Sequence, residues 1–377
     1  MTSFHFTKYL NGEFIESVMN EFGFTEGPIV EKFIMDYEML HAISQDLPCV
    51  TRGGTAVPFY LKEDQRRLSV DVDLLNTRGA DEIMRIMKNI NDKYKDLVSI
   101  KLYQPENPNP KLPLLTYDVT YDSSLGGKQK IKLEIMYDWN GKLKTTTIEP
   151  GFKILGIPID FPINVTTDGS LLGDKITTLA LGTIGLPERR RDEISKQVYD
   201  IAMLLKLARK ETLTDSIEAY QNVADSECSY HGVNNDPIGI VRDIMISIDS
   251  LLETNPNFKL SDIYRERFLS FQGQLLGRNK LTVTEHLIDL LYTRLFATEI
   301  LEVLMNKTRV QEIVNSVISK LQYAKELGGI EQSEPGVRNL LDSLRDYMPL
   351  QRAVKGLTPE AIYLVSEIQK STAKFLI

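Results

Sequence analysis

Arg52-Gly53-Gly54-Thr55-Ala56, followed after a short polar run by Arg67-Leu68-Ser69-Val70-Asp71-Val72-Asp73, decides how this chain is read. The first five residues form a glycine turn that opens a helix. The last seven form a strand. Side chains of a strand alternate between its faces, so Arg67, Ser69, Asp71 and Asp73 point one way. Leu68, Val70, Val72 and Leu74 point the other way, into a core. Two carboxylates side by side on one face need neutralising, and a hard divalent cation does this. Mg2+ takes one or two carboxylates and completes its shell with phosphate oxygens. A glycine pair just upstream lets backbone N–H groups approach a phosphate closely. The stretch therefore predicts a metal–nucleoside-triphosphate site.

Upstream, residues 1 to 48 are expected to be helical: Phe14, Val18, Met19 and Phe22 have helical spacing, and Ile29 to Ile43 forms a second periodic run. Cys49-Val50-Thr51 is a short strand entering the glycine pair, and Thr55 to Tyr60 continues as helix. Downstream, Asp81 to Tyr94 is an amphipathic helix with Asp81 as its cap. Leu114 to Tyr121 and Lys130 to Tyr137 alternate with period two around Ser123-Ser124-Leu125-Gly126-Gly127, a β-hairpin signature. Ile154 to Val165, broken by Pro158 and Pro162, is expected as an edge strand. After Asp168 the chain turns helical, with almost no convincing strand. Asp236-Pro237, Ser261-Asp262, Thr284-Glu285 and Thr358-Pro359-Glu360 mark helix starts; Gly232, Gly328-Gly329 and Gly356 mark stops. About seven helices of ordinary length fit residues 210 to 377. The expected fold class is α/β (α+β) with a mixed sheet in residues 1–208, then an all-α helical bundle in residues 209–377.

Composition narrows the function. The 377 residues exceed one ordinary core, and 42% hydrophobic with 25% charged is ordinary for a water-soluble protein. A net charge of -8 argues against a generally sticky nucleic-acid binder. Two cysteines far apart, Cys49 and Cys228, do not support a disulfide framework. No apolar run reaches membrane-span length and no signal peptide pattern is evident, so no membrane partner and a cytoplasmic location are expected.

Two-metal nucleotidyl transfer uses three carboxylates. Asp71 and Asp73 supply two. On the second hairpin strand Lys132, Glu134 and Asp138 share a face, and the mid-strand Glu134 is the preferred third ligand. Asp118 on the partner strand is the alternative, and Asp138 lies too near the strand end.

Gly53-Gly54-Thr55-Ala56 with Arg67-x-Ser69-x-Asp71-x-Asp73 resembles the first motif of the AbiEii/AbiGii nucleotidyltransferase-fold toxins, relatives of the mycobacterial MenT toxins. The resemblance extends over residues 50 to 205. It includes Lys175, in Gly173-Asp174-Lys175, and a helix in which Lys196 and Asp200 match the family pattern. Gln197 stands where that pattern has an aspartate, and Ile194 where it has an arginine. The resemblance implies a nucleotidyltransferase using Mg2+ (or Mn2+) and a nucleoside triphosphate (NTP). It implies the toxin of a toxin–antitoxin or phage-defence system, with a separate antitoxin as partner and an RNA acceptor such as the tRNA 3′ end. The implied catalytic residues are Asp71, Asp73, Lys196 and Asp200. The implied nucleotide-binding residues are Gly53, Gly54, Thr55, Arg67, Ser69 and Lys175; the metal ligands are Asp71, Asp73 and Glu134. A lysine neutralises triphosphate as a point charge, and Lys196 and Asp200 at i,i+4 share a helix face.

Other features are weaker. Arg189-Arg190-Arg191 could receive a phosphate backbone but is the ordinary composition of a solvated helix start. Tyr264, Arg265 and Arg267 set an aromatic beside two cations, again an ordinary helix face. Cys228-x-x-His231 lacks a second ligand pair for zinc. His5, His41 and His286 have no obvious partners, and Trp139 is expected in the core. Three alternatives stay open: a protein acceptor, a small-molecule acceptor, or nucleotide binding without turnover.

Overall fold

The structure, a computed structural model, describes residues 7–106, 108–139, 142–253, 259–275, 280–328, 330 and 357–373. His5, Gly329 and Gly356 lie outside the described residues. The chain divides into two compact units, one of residues 1–167 with 272–280, the other of residues 168–271 with 281–377. The division expected at 208/209 falls within the second unit, between two of its helices.

The first unit opens with α1 (Gly12–Phe22), whose Asn11 side chain caps the Phe14 N–H, and α2 (Gly27–Asp46), started by Pro28. There follow β1 (Val50–Thr51), the one-turn α3 (Gly53–Ala56), β2 (Asp71–Leu75), α4 (Ala80–Lys93), β3 (Val98–Leu102), β4 (Leu114–Asp122) and β5 (Lys128–Met136). The unit continues through β6 (Thr145–Ile148), β7 (Phe152–Ile154), β8 (Ile157–Ile159) and β9 (Ile163–Thr166). Seven strands make one mixed sheet in the order β3-β4-β5-β2-β1-β9-β6. The β2–β5 and β1–β9 pairs are parallel and the remaining pairs antiparallel.

One face of this sheet is the core. Val72, Leu74, Val119, Ile131, Leu133 and Ile135 pack with Phe33, Ile34 and Met39 of α2 and Ile83 and Ile90 of α4. The polar alternation of β2, β4 and β5 is therefore displayed on the other face. The hairpin turn between β4 and β5 is held from inside. Glu31 of α2, fully buried, accepts hydrogen bonds from the Ser123 and Ser124 hydroxyls and the Ser124 N–H.

Several local expectations are revised. Ile154 to Val165 is not one edge strand: it holds the end of β7, the whole of β8 and most of β9. The β7–β8 pair makes a separate two-stranded hairpin turning at Leu155-Gly156, whereas β9 lies inside the main sheet. Pro158 sits in the small hairpin and Pro162 just before β9, so neither removes a donor from an interior strand. The edges are β6 and β3. The helix expected from Thr55 to Tyr60 is α3 followed by a 3-10 turn at Val57–Phe59. Asp81 lies in the first turn of α4, with Gly79 at the cap position.

The second unit is helical: α5 (Asp168–Thr177), α6 (Ile194–Leu207), α7 (Lys210–His231) and α8 (Pro237–Ser250) precede α9 (Asp262–Phe271), α10 (Val283–Met305), α11 (Val310–Leu327) and α12 (Pro359–Ala373). A two-residue β-pair, β10 (Leu252–Glu253) with β11 (Lys259–Leu260), interrupts them. Six helices lie in residues 210–377 among the described residues. Asp236 caps α8, and Gly232 ends α7 with positive φ. The α10 cap is Thr282 rather than Thr284, in a capping box with Glu285. No helix among the described residues is long and apolar enough to cross a membrane.

Candidate active site

The site grows from the pairing of β1 with β2. Thr51 stands opposite Leu74, and the Arg52 N–H extends the ladder to the Asp73 carbonyl at 2.9 Å. The chain then turns through Gly53 at φ +59°, a left-handed conformation that favours glycine. A Cβ on Gly53 would overlap the Asp73 carboxylate. One on Gly54 would lie 2.5 Å from Ser69 Oγ and 3.0 Å from Arg67 Nη2. The glycine pair thus lies directly against the polar face of the Arg67–Asp73 stretch, which brings Gly53, Gly54, Arg67, Ser69 and Asp73 together. Regular strand begins only at Asp71; Arg67 makes an isolated antiparallel bridge to Leu275.

Thr55 and Tyr37 lock this turn. The Thr55 hydroxyl donates to the Asp71 carbonyl at 2.7 Å and accepts from the Asp73 N–H at 3.3 Å. Tyr37 of α2 donates its hydroxyl to the Thr55 carbonyl at 3.3 Å. The Thr55 hydroxyl, expected to face nucleotide, is buried and spans the backbone of both aspartates. Arg67 is buried as well and donates to the Leu68 carbonyl at 3.1 Å.

The parallel register places Lys132 beside Asp71 and Glu134 beside Asp73. Partners in register share a face, so Glu134 lies one strand spacing, about 4.8 Å, from Asp73 at the backbone. Asp118 is one strand further out and is engaged by Lys130 at 3.1 Å. Asp138 has left the sheet, at φ 51°, with its N–H on the Arg78 carbonyl. Among the described residues no three His, Cys, Asp or Glu side chains converge as a ready metal site. Two half-buried carboxylates on one face suit Mg2+, which needs no more than two when phosphate oxygens complete its shell.

Sequence reasoning missed Asp36. This α2 carboxyl is buried, and neither of its oxygens has a hydrogen-bond partner. Burial raises it well above the usual carboxylate range, and the charges of Asp71 and Asp73 push it further; Lys32 offsets part. Its signal in the sequence is an aspartate inside the periodic run Ile29 to Ile43.

In the second unit Lys175 of α5 and Asp200 of α6 form a buried ion pair, Nζ to Oδ2 2.8 Å, with the side chains 3% and 0% exposed. Gln197 also accepts from Lys175 Nζ, at 3.2 Å. The residue that departs from the expected aspartate is therefore a neutral partner of Lys175. Backbone approach of α7 seats α5: a Cβ on Gly173 would meet the Tyr220 N–H at 2.7 Å. Lys196, one turn before Asp200 on α6, pairs with Glu193 at 3.5 Å. Burial raises the Glu193 carboxyl, but hydrogen bonds from Arg190 and the charge of Lys196 outweigh it and hold it below its usual value. Ile194 is core.

The weaker candidates resolve into structure. Arg190 and Arg191 pair with Glu193 and Glu188. Tyr264 is buried and shares a 2.8 Å hydrogen bond with His286, which supplies the partner the sequence had not revealed. His231 pairs with Glu227, both cysteines are free thiols, and Trp139 is half-buried.

The mixed sheet displays an Asp-x-Asp pair beneath a glycine turn. The family described as nucleotidyl transferase AbiEii toxin, of type IV toxin–antitoxin systems, matches residues 39–281, more than half of the chain, and the chain belongs to it. It is thereby an enzyme of the nucleotidyl transferase family, which implies an NTP substrate and an antitoxin partner. No curated protein matches the chain. Among solved structures, a crystal structure of an H. pylori protein proposed to be a nucleotidyltransferase is similar over 73% of this chain and 97% of that one, at 16% identity and a TM-score of 0.39, too slight a likeness to bear on function.

Proposed function

We propose that the protein transfers a nucleotide from an NTP to an RNA acceptor, such as the tRNA 3′ end, with Mg2+ as cofactor. The observation that carries this reading is the closure of the Gly53–Gly54 turn over the face bearing Ser69 and Asp73. Asp71 and Asp73 would hold the metal, with Glu134 as third donor from the adjacent strand. When bound, the ion supplies positive charge to phosphate oxygens and lowers the pKa of an attacking hydroxyl.

The chain's own groups do the rest. The absence of a Cβ at Gly53 and Gly54 lets the turn close against Asp73 and Ser69, where backbone amides would meet phosphate oxygens. The Thr55 hydroxyl, tied to β2 at both aspartates, fixes their spacing before substrate arrives; such positioning is a large share of phosphoryl-transfer catalysis. In the second unit Lys175 and Lys196 are proposed as phosphate ligands, with Asp200 keeping Lys175 charged and oriented.

The test is incubation of the purified protein with total cellular RNA, each α-32P-labelled NTP and Mg2+. Label on a tRNA-sized band supports the reading and names the nucleotide. Label on protein in a parallel lysate, with none on RNA, replaces the acceptor. No label anywhere returns the site to binding without turnover.

A further inference from the structure

The open face of the first unit's sheet continues beyond the carboxylates. Two rows cross it in register. Asp71 stands beside Lys132, then Asp118, then Lys101. Asp73 stands beside Glu134, then Thr116, whose carbonyl accepts the N–H of Tyr103 just past β3. Lys101 and Tyr103 are two apart and so share this face.

Lys132 Nζ lies 5.6 Å from the centre of the Tyr103 ring, within cation–π range. Lys132 and Lys101 are exposed, and neither is in an ion pair with a described residue; Asp118 is taken by Lys130. Tyr103 is 41% exposed although large and aromatic. A cleft of about 280 Å³ adjoins the ring, lined in part by Leu102, Tyr103, Pro105, Pro108 and Leu114. In a chain of net charge -8, two such cations and an exposed ring converge on the face that carries the carboxylates.

We propose that this strip, Lys132–Tyr103–Lys101, is the docking surface for a single-stranded nucleic-acid acceptor. The inference rests on the reading that the acceptor is RNA. One base stacks on Tyr103 at the mouth of the cleft, while Lys132 and Lys101 take backbone phosphates. Three interstrand spacings, about 14 Å, separate Asp71 from Lys101, so a strand lying along the row brings its end to the carboxylates. A flat ring beside cations binds single strands through stacking and charge together.

The experiment is fluorescence anisotropy with a labelled single-stranded RNA oligonucleotide and the full chain, run beside the transfer assay. Tyr103→Ala should weaken binding by about 5- to 150-fold, the range of one base–aromatic stack. Tyr103→Phe should bind like wild type, because the ring is what is used. Lys132→Ala with Lys101→Ala should weaken binding and flatten its salt dependence. In the transfer assay Tyr103→Ala should raise the KM for RNA and leave kcat and NTP affinity unchanged. Equal RNA affinity of Tyr103→Ala and wild type overturns the surface, even if RNA is labelled. Oligonucleotide binding that depends on Tyr103, without transfer to RNA, keeps the surface and removes the RNA-transfer reading. Wild type that binds no RNA and labels protein overturns both.

Discussion

Gly53 stands against the side chain of Asp73, so closely that a Cβ at Gly53 would overlap the carboxylate. The turn and the aspartate are one device. Gly53→Ala should therefore do more than strain a left-handed backbone, which costs roughly 1–2 kcal/mol. It should displace Asp73 and lower kcat by about 10²-fold, the scale of a 1 Å misplacement. Gly127→Ala is the comparison: φ there is +78° with nothing within 4 Å, so it should lose stability and keep activity. Equal activity losses in the two variants would show that strain alone matters.

Lys175 and Asp200 are expected to be a structural pair whatever else they do. Asp200→Ala leaves an uncompensated buried charge and should cost about 3–5 kcal/mol in urea unfolding. Lys175→Met with Asp200→Leu should recover most of that stability. If the double variant also recovered transfer, Lys175 would have no part in handling phosphate.

Asp36 predicts a pH dependence of stability. Its folded pKa is raised well above 3.8 by burial and by Asp71 and Asp73. Between the unfolded and the raised folded value the native state binds more protons, so this group's contribution to stability falls as pH rises through that window. Asp36→Asn cannot titrate. Its stability relative to wild type should grow from pH 4 to pH 7.5, read as the difference between urea midpoints. A constant difference would mean that Asp36 ionises in the folded state as it does in the unfolded one.

Much of this was legible in the chain. The alternation through Asp71-Val72-Asp73 and Ile131-Lys132-Leu133-Glu134 gave the two faces, because a strand's period is independent of its partners. The parallel register that sets Glu134 beside Asp73 is a tertiary fact, reached by a crossover that local pattern does not encode. The Ile154 to Val165 segment misled for a related reason: prolines there mark turns of a small separate hairpin, not the sheet's edge. The pairing of Lys175 with Asp200 joins two helices and is set by packing, which the i,i+4 spacing within one helix does not encode. Tyr103 was invisible because it follows a short strand at the sheet's edge.

Tyr264 and His286 supply a prediction about the second unit. Both are buried, and His286 also stacks on Phe268 at 4.3 Å between ring centres. Tyr264→Phe removes one hydrogen bond and leaves a buried imidazole nitrogen short of a partner, at a cost of about 1–3 kcal/mol. RNA binding by this variant, at a temperature where it is folded, should match wild type. A loss confined to binding would return Tyr264 to the list of nucleic-acid contacts.

The most direct test of the catalytic assignment is the rate of labelled-nucleotide transfer by Asp71→Asn, Asp73→Asn and their double variant against wild type, with folding checked by circular dichroism. Each single change should lower the rate by at least about 10²-fold, the order lost with one preorganised electrostatic group. The double variant should stay folded, because both side chains lie on the open face. Transfer by the folded double variant at the wild-type rate would contradict the assignment of the site to this pair.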